Sequence, residues 1–246
     1  VDLLIEKPLS LGMDGVAELE ETVLRGGRKV AVGFVYRSLP ALREMREAVR
    51  TGRIGRVVQV QVQAGQHFPF YRPAYREIYY ADPSMGGGLI QDMLPHPLNA
   101  VEWLAGPATR VVADAAHAVL PGVAVEDTVH VLARHGEVLA SYSLNQHQPV
   151  NEFTVTVHGD RGSVRWEFRR QRWLSADRPD GEWTEEAAYR HERDDLYRMQ
   201  AEHFLDYLEG RAAEPPCSLA DGIRTLRSTL AVLASVERGT WREVEA

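Results

Sequence analysis

The chain has 246 residues, 44% hydrophobic and 26% charged, with a formal net charge of −7. An acidic surface repels phosphate backbones, which excludes nucleic acid as a general partner. One cysteine, Cys217, excludes an intrachain disulfide, and no apolar run approaches the ~20 residues of a membrane span, so a soluble, cytoplasmic protein with no membrane partner is expected.

Residues 1–5 are an apolar run ending in Glu6-Lys7-Pro8, the pattern of a buried parallel strand. A helix is predicted over 11–25 from Met13, Val16, Leu19, Val23 and Leu24, with Gly26-Gly27 as its stop. Residues 29–36 are again strand-like, completing one βαβ unit. A helix over 39–50 places Leu42, Met45 and Val49 on one side. Val58, Val60 and Val62 then alternate with glutamines, the period of a strand with one buried face. Residues 66–85 form a long segment rich in aromatics, Arg and Pro; its length points to function and its aromatics argue against disorder.

Gly86-Gly87-Gly88 leads into a helix predicted over 89–104. Strands are expected near 109–117, 127–134, 137–146, 152–159 and 162–169, with Gly136, Gly159 and Gly162 as hairpin punctuation. The arginines from 161 to 178 are interleaved with acids such as Glu167 and Asp177, a solvated strand face. Helices over 193–209 and 219–237 close the chain. The expected fold class is α+β: a βαβ piece followed by a domain with a large, mainly antiparallel open sheet and helices on one face. The open face of such a sheet suits a homo-oligomer.

Asp92, His96 and Asn99 recur at i, i+4, i+7, which on a regular helix shares one face. A carboxylate one turn before a histidine can bond it, raise its pKa and fix its tautomer, suiting it to proton exchange. Asn99 adds a donor and an acceptor for a hydroxyl-rich ligand. The same spacing is equally that of a capped helix with a structural histidine, and Pro95 and Pro97 require a local distortion. One histidine and one carboxylate are too few local ligands to favour a metal site. The glycine run lacks the spacing of a GxGxxG fingerprint. Its glycines let backbone come close to a partner such as a ring. Only Lys7 and Lys29 of the 28 basic residues are lysines. A lysine at the end of a parallel strand can bond a substrate hydroxyl and stabilise an alkoxide.

These residues together resemble the Gfo/Idh/MocA oxidoreductases. Glu6-Lys7-Pro8 matches their EKP motif, and Gly86 to Asp92 with His96 and Asn99 matches GGGxxxD-x3-H-x2-[DN]. The stretch 33–40, with Tyr36 and Arg37, and the tail with Phe204 and Ser218-Leu219-Ala220-Asp221-Gly222 are also similar. The resemblance implies hydride transfer between NAD or NADP and a sugar, cyclitol or related polyol. It makes Lys7 and His96 the polar catalytic pair, with His96 as general acid/base and Asp92 as the orienting carboxylate. Asn99, Tyr36, Arg37, Tyr71 and Arg72 become substrate-binding candidates, with His67 and Tyr75 in the same loop. Glu6, Lys7 and Pro8 become cofactor-binding residues. Residues 1–36 then correspond to a remnant of a dinucleotide-binding Rossmann domain and 37–246 to a substrate-binding and oligomerisation domain. The family's glycine fingerprint is absent, so this chain is expected to bind NAD(P) poorly or not at all. A non-catalytic sugar-binding or assembly module and an NAD-dependent glycoside hydrolase are the competing readings.

Overall fold

The computed structural model describes residues 1–245. Strand β1 (Leu3–Ile5), helix α1 (Val16–Gly26) and strand β2 (Val30–Val32) form the βαβ unit, with β1 and β2 paired in parallel. The expectation of a buried first strand needs correction, because Leu3 and Leu4 are 38% and 39% exposed. Among the described residues β2 is the only strand paired with β1. The helix starts later than its pattern suggests, and Leu24 points to solvent while Val16 is buried. β2 is shorter than expected: Gly33 interrupts it, and a 3-10 turn, Val35–Ser38, carries Tyr36 and Arg37.

Helix α2 (Pro40–Arg50) buries Ala41, Leu42 and Met45 and is followed by β3 (Val57–Gly65). Val60 and Val62 point inward as predicted, but Val58 is 37% exposed. A register shift between Val57 and Gln59 explains this, since one extra residue in a strand turns the next side chain to the other face. The 66–85 segment holds a single turn, α3 (Phe68–Tyr71), and two 3-10 turns, Tyr79–Ala81 and Pro83–Met85. The helix predicted over 89–104 is two pieces, α4 (Leu89–Asp92) and α5 (Pro95–Ala105). Pro95 and Pro97 supply no N–H, so the chain bends at Met93 and Leu94.

Strands β4 (Arg110–Ala116), β5 (Thr128–His135), β6 (Val138–Asn145), β7 (Glu152–Gly159) and β8 (Ser163–Glu167) follow as expected. Strands β9 (Arg172–Ala176) and β10 (Thr184–Ala188) extend the sheet beyond the last strand expected from the sequence. Helices α6 (Asp195–Leu208) and α7 (Leu219–Arg238) and a short β11 (Arg242–Glu243) end the chain. The nine strands run in the order β10-β9-β8-β7-β3-β6-β5-β4-β11, antiparallel except for the parallel β3–β6 pair.

Helices α2, α5 and α7 cover one face of this sheet and enclose the main core with Val60, Val62, Leu98, Val131, Tyr142 and Val155. A second, smaller core joins Val16, Val30, Val32 and Phe34 to Leu219, Ile223 and Leu226. Helix α7 therefore spans both cores. Ser218 caps it, accepting from the Asp221 N–H at 3.1 Å, worth about 1 kcal/mol. Gly222 lets its backbone approach the Val32 side chain. Burial of Leu219, Ile223 and Leu226, at about 2 kcal/mol each, contributes more than the cap to holding the βαβ unit on the sheet domain.

Candidate active site

Lys7 follows β1 at its carboxyl end, where side chains of a parallel sheet face outward over the strand tips. Its Nζ donates to the Asp92 carbonyl at 2.8 Å and to Asp92 Oδ1 at 3.4 Å. Both side chains are largely shielded, 17% and 19% exposed, so solvent screens the pair only in part. The Tyr79 hydroxyl also donates to Asp92 Oδ1, at 2.8 Å. Asp92 is the last residue of α4 and is reached from two directions by groups far apart in sequence.

His96 lies in the first turn of α5, its ring 5.0 Å from that of Tyr36 and edge-on to Phe34 at 6.1 Å. Its Nδ1 is buried without a hydrogen-bond partner among the described residues. The expected Asp92–His96 bond is absent, because the bend before Pro95 turns the carboxylate to Lys7 and Tyr79. The expected rise in the histidine's pKa is likewise reversed. Burial first, and the charge of Lys7 second, hold the ring well below the ordinary 6.5, so it is neutral at pH 7. Tyr36 packs against Phe153, Trp166 and Phe168, and burial pushes its phenol upward.

On the far side of Tyr36 and Met93 lies a cavity whose wall includes Gln66, Asn145, Asn151, Glu152, Phe168 and Arg169. The parallel β3–β6 pair builds it: Gly65 is in register with Asn145 on one side and Glu152 on the other, so three strand ends meet. The Asn145 amide is occupied by the following turn, bonding His147 and Gln148. Asn151 and Arg169 make no side-chain hydrogen bond or ion pair among the described residues and are free to meet a ligand. Sequence reasoning missed this wall. The available signal was a run of amides directly after strand ends, where ligands of such sheets bind.

The remaining predicted residues lie elsewhere. Arg37 and Asn99, expected at the substrate, are buried in a polar network instead. Arg37 Nε donates to Asn99 Oδ1 at 2.7 Å and Nη1 to Asp221 at 2.8 Å. Asn99 Nδ2 donates to the Thr225 hydroxyl at 3.0 Å. The Thr225 and Ser228 hydroxyls in turn donate to Glu102, both at 2.6 Å. Burial raises the Glu102 carboxyl against the pull of those hydroxyls and of Arg37. A buried ion pair costs desolvation, so every member needs a partner, and every polar side-chain atom of Arg37 and Asn99 is committed here. Tyr71 and Arg72 sit at the exposed end of α3, outside the cavity wall. His67 precedes α3, and Tyr75 is buried with Phe68 and Tyr80, its hydroxyl donating to the Pro121 carbonyl.

The glycine run lets backbone come close, as expected, but the partners it meets are backbone carbonyls and a carboxylate and not a ring. A Cβ on Gly87 would strike the carbonyls of Tyr79, Tyr80 and Asp82, and one on Gly88 would strike the Glu126 carboxylate at 2.6 Å. Glu126 accepts from the Ile90 N–H at 2.8 Å, at the start of α4. Glu6 is exposed, and Pro8 lines an apolar cleft with Leu9, Phe34, Pro95 and Leu226. Among the described residues no group of three or more His, Cys, Asp or Glu could hold a metal, and no helix is long and apolar enough to cross a membrane.

Comparison with known proteins adds to this geometry. The sequence profile of the GFO/IDH/MocA C-terminal domain matches residues 42–165. The chain is 26% identical over 250 residues to a 1,5-anhydro-D-fructose reductase of Ensifer adhaerens, covering 99% of this chain and 72% of that enzyme. It is 27% identical over 247 residues to a myo-inositol dehydrogenase of Streptomyces leeuwenhoekii, covering 98% and 73%. An oxidoreductase domain protein from Kribbella flavida superposes with a TM-score of 0.87 at 21% identity, covering 100% of this chain and 74% of that one. A levoglucosan dehydrogenase in complex with NADH and levoglucosan gives 0.84 at 21% identity, with the same coverage. The structural likenesses speak to the fold.

Proposed function

The chain belongs to the GFO/IDH/MocA family, and from that membership we propose that it carries the catalytic and substrate-binding residues of an NAD- or NADP-dependent oxidoreductase acting on a sugar, cyclitol or related polyol. The observation that carries this reading is the Lys7–Asp92 pair beside a neutral His96. Glu6, Lys7 and Pro8, at the carboxyl end of β1 and beside an apolar cleft lined by Pro8 and Phe34, would hold the nicotinamide end of a dinucleotide. No GxGxxG run for the pyrophosphate occurs in residues 1–246. When bound, the nicotinamide supplies or accepts the hydride. Residues 1–36 are proposed as part of the dinucleotide-binding domain and 37–246 as the substrate domain.

Each protein group then has a task. Lys7 donates to the reacting oxygen and stabilises negative charge as it develops there. Asp92 holds the ammonium in place. His96, neutral and with Nδ1 buried, presents Nε2 as the nitrogen that takes the hydroxyl proton in the oxidation direction and returns it in reduction. Asn151 and Arg169 bond substrate groups that extend past Tyr36, which offers a flat apolar wall. The outer face of the nine-stranded sheet, with Leu132 and Leu139 exposed, is proposed as a homo-oligomer surface. The single, buried cysteine suits the cytoplasm.

The test is cofactor-linked turnover of myo-inositol, levoglucosan and 1,5-anhydro-D-fructose, with calorimetric binding of NAD(H) and NADP(H). Lys7→Met and His96→Gln should each lower kcat by about 10²-fold or more. Wild-type turnover in both variants would overturn the assignment.

A further inference from the structure

The half-exposed Tyr79 sits next in sequence to one of the most deeply buried side chains of the molecule. Tyr80 is fully buried against Phe68, ring centroids 4.4 Å apart. The turn carrying both tyrosines is fastened to the start of α4. The Gly88 N–H donates to the Tyr80 carbonyl at 3.1 Å and the Gly87 N–H to the Asp82 carbonyl at 2.9 Å. Asp82 closes the turn by accepting from the Ser84 N–H and hydroxyl. Gln91 reaches back to the Pro83 carbonyl at 3.0 Å. Gly87 has no room for a side chain against the Tyr79 and Asp82 carbonyls. A surface tyrosine is thus held on a rigid mount, and its hydroxyl lands on Asp92 Oδ1.

The two bonds at that oxygen are unequal. Tyr79 approaches to 2.8 Å and Lys7 only to 3.4 Å, while Lys7 makes its own short bond to the Asp92 carbonyl. A hydrogen bond at 3.4 Å is near the limit and fixes orientation weakly. The stronger constraint on the Asp92 carboxylate therefore comes from the tyrosine.

We propose that Tyr79 is a positioning residue for the Lys7–Asp92 pair: its hydroxyl sets the Asp92 carboxylate, and with it the negative charge that faces the Lys7 ammonium. This rests on the oxidoreductase reading for its catalytic consequence but not for its structural one. It assigns Gly87 a purpose, which is to seat the Tyr79–Ala81 turn close enough for the bond to form. Tyr79→Phe keeps the ring and removes only the hydroxyl.

The experiment has two arms. With two lysines in the chain, ¹⁵N spectra of the side-chain ammonium groups contain two signals, and Lys29→Arg assigns Lys7. In Tyr79→Phe, hydrogen exchange of the Lys7 ammonium should accelerate about fivefold or more, approaching that of Asp92→Asn, as expected for a charge-assisted bond whose partner is no longer oriented. Exchange within about twofold of wild type, in a variant with an unchanged melting temperature, would overturn the proposal. In turnover with myo-inositol and NAD, kcat should fall about tenfold, the equivalent of one such bond, with KM changed less than about threefold. An unchanged kcat in an active enzyme would also overturn it. A wild-type protein that binds NAD(H) or NADP(H) by calorimetry yet is inactive on every polyol would overturn the oxidoreductase reading alone, and the ammonium exchange would then decide the role of Tyr79.

Discussion

Replacing Gly87 by alanine tests whether the glycine run is a steric requirement of the site. The backbone at Gly87 is of a kind any residue can adopt, so the effect is packing alone. The added Cβ would lie 2.6 Å from the Tyr79 carbonyl oxygen and 2.7 Å from that of Asp82, and would also strike that of Tyr80. All three are backbone atoms of a turn that is bonded to α4, so none can swing aside as a side-chain tip could. Overpacking of this type costs ~1–3 kcal/mol, and three simultaneous backbone contacts place Gly87→Ala near about 3 kcal/mol. For a domain of this size 1 kcal/mol corresponds to about 2–4 °C in melting temperature, so a drop of about 6–12 °C is expected by calorimetry. A useful comparison is Gly239→Ala, whose Cβ meets nothing within 4 Å but which sits in the left-handed region at φ +65° and ψ +27°. That variant should lose only the smaller cost of a left-handed backbone, about 1 kcal/mol. A Gly87→Ala protein melting within about 2 °C of wild type would refute the steric argument.

Three further outcomes follow from the buried polar groups. Asp127 accepts from the N–H groups of Ala118, Val119 and Leu120 and from the Thr128 hydroxyl. Burial raises its pKa, but these donors outweigh burial and hold it below the usual carboxylate value. Its stabilisation is therefore present above the unfolded pKa of about 3.9 and lost as pH falls through the folded value; Asp127→Ala should cost about 3 kcal/mol at pH 7 and flatten the acid limb of a urea-melt series. Arg37→Met removes the cation beside Asp221 and leaves Asn99 Oδ1 unpaired, so about 3 kcal/mol should be lost in the same assay. His96 should remain neutral in ¹⁵N imidazole spectra well below pH 6.5, and Lys7→Met should raise its pKa by removing a nearby positive charge. Because that pKa is depressed, the ring adds stability above about 6.5 that fades as pH falls toward the folded value, and His96→Gln should abolish that slope.

Much of the architecture is legible in residue order. The period of two at Val60 and Val62, the glycine stops, and the helical spacing of α2, α6 and α7 are local patterns, and local patterns determine local structure. The motif residues Lys7, Asp92 and His96 are legible as well, and the fold gathers them. Their connections are not. An ideal helix would stack Asp92 beneath His96, but two prolines remove the N–H groups that keep a helix straight, and the carboxylate turns to Lys7 and Tyr79. Asn99 reads as a ligand because an amide suits hydroxyls; its partners, Arg37 and Thr225, lie 62 and 126 residues away and claim it for the interior. Gln66 and Asn151 carry only the faint mark of amides beside strand ends, Arg169 carries none, and the register of β3 with β6 and β7 is what brings the first two near one cavity. Sequence by itself determined which segments are helix and strand and which residue types could react. Which of them meet was decided by sheet register and by the packing of α7 across two cores, because those contacts join residues whose separation along the chain leaves no periodic trace.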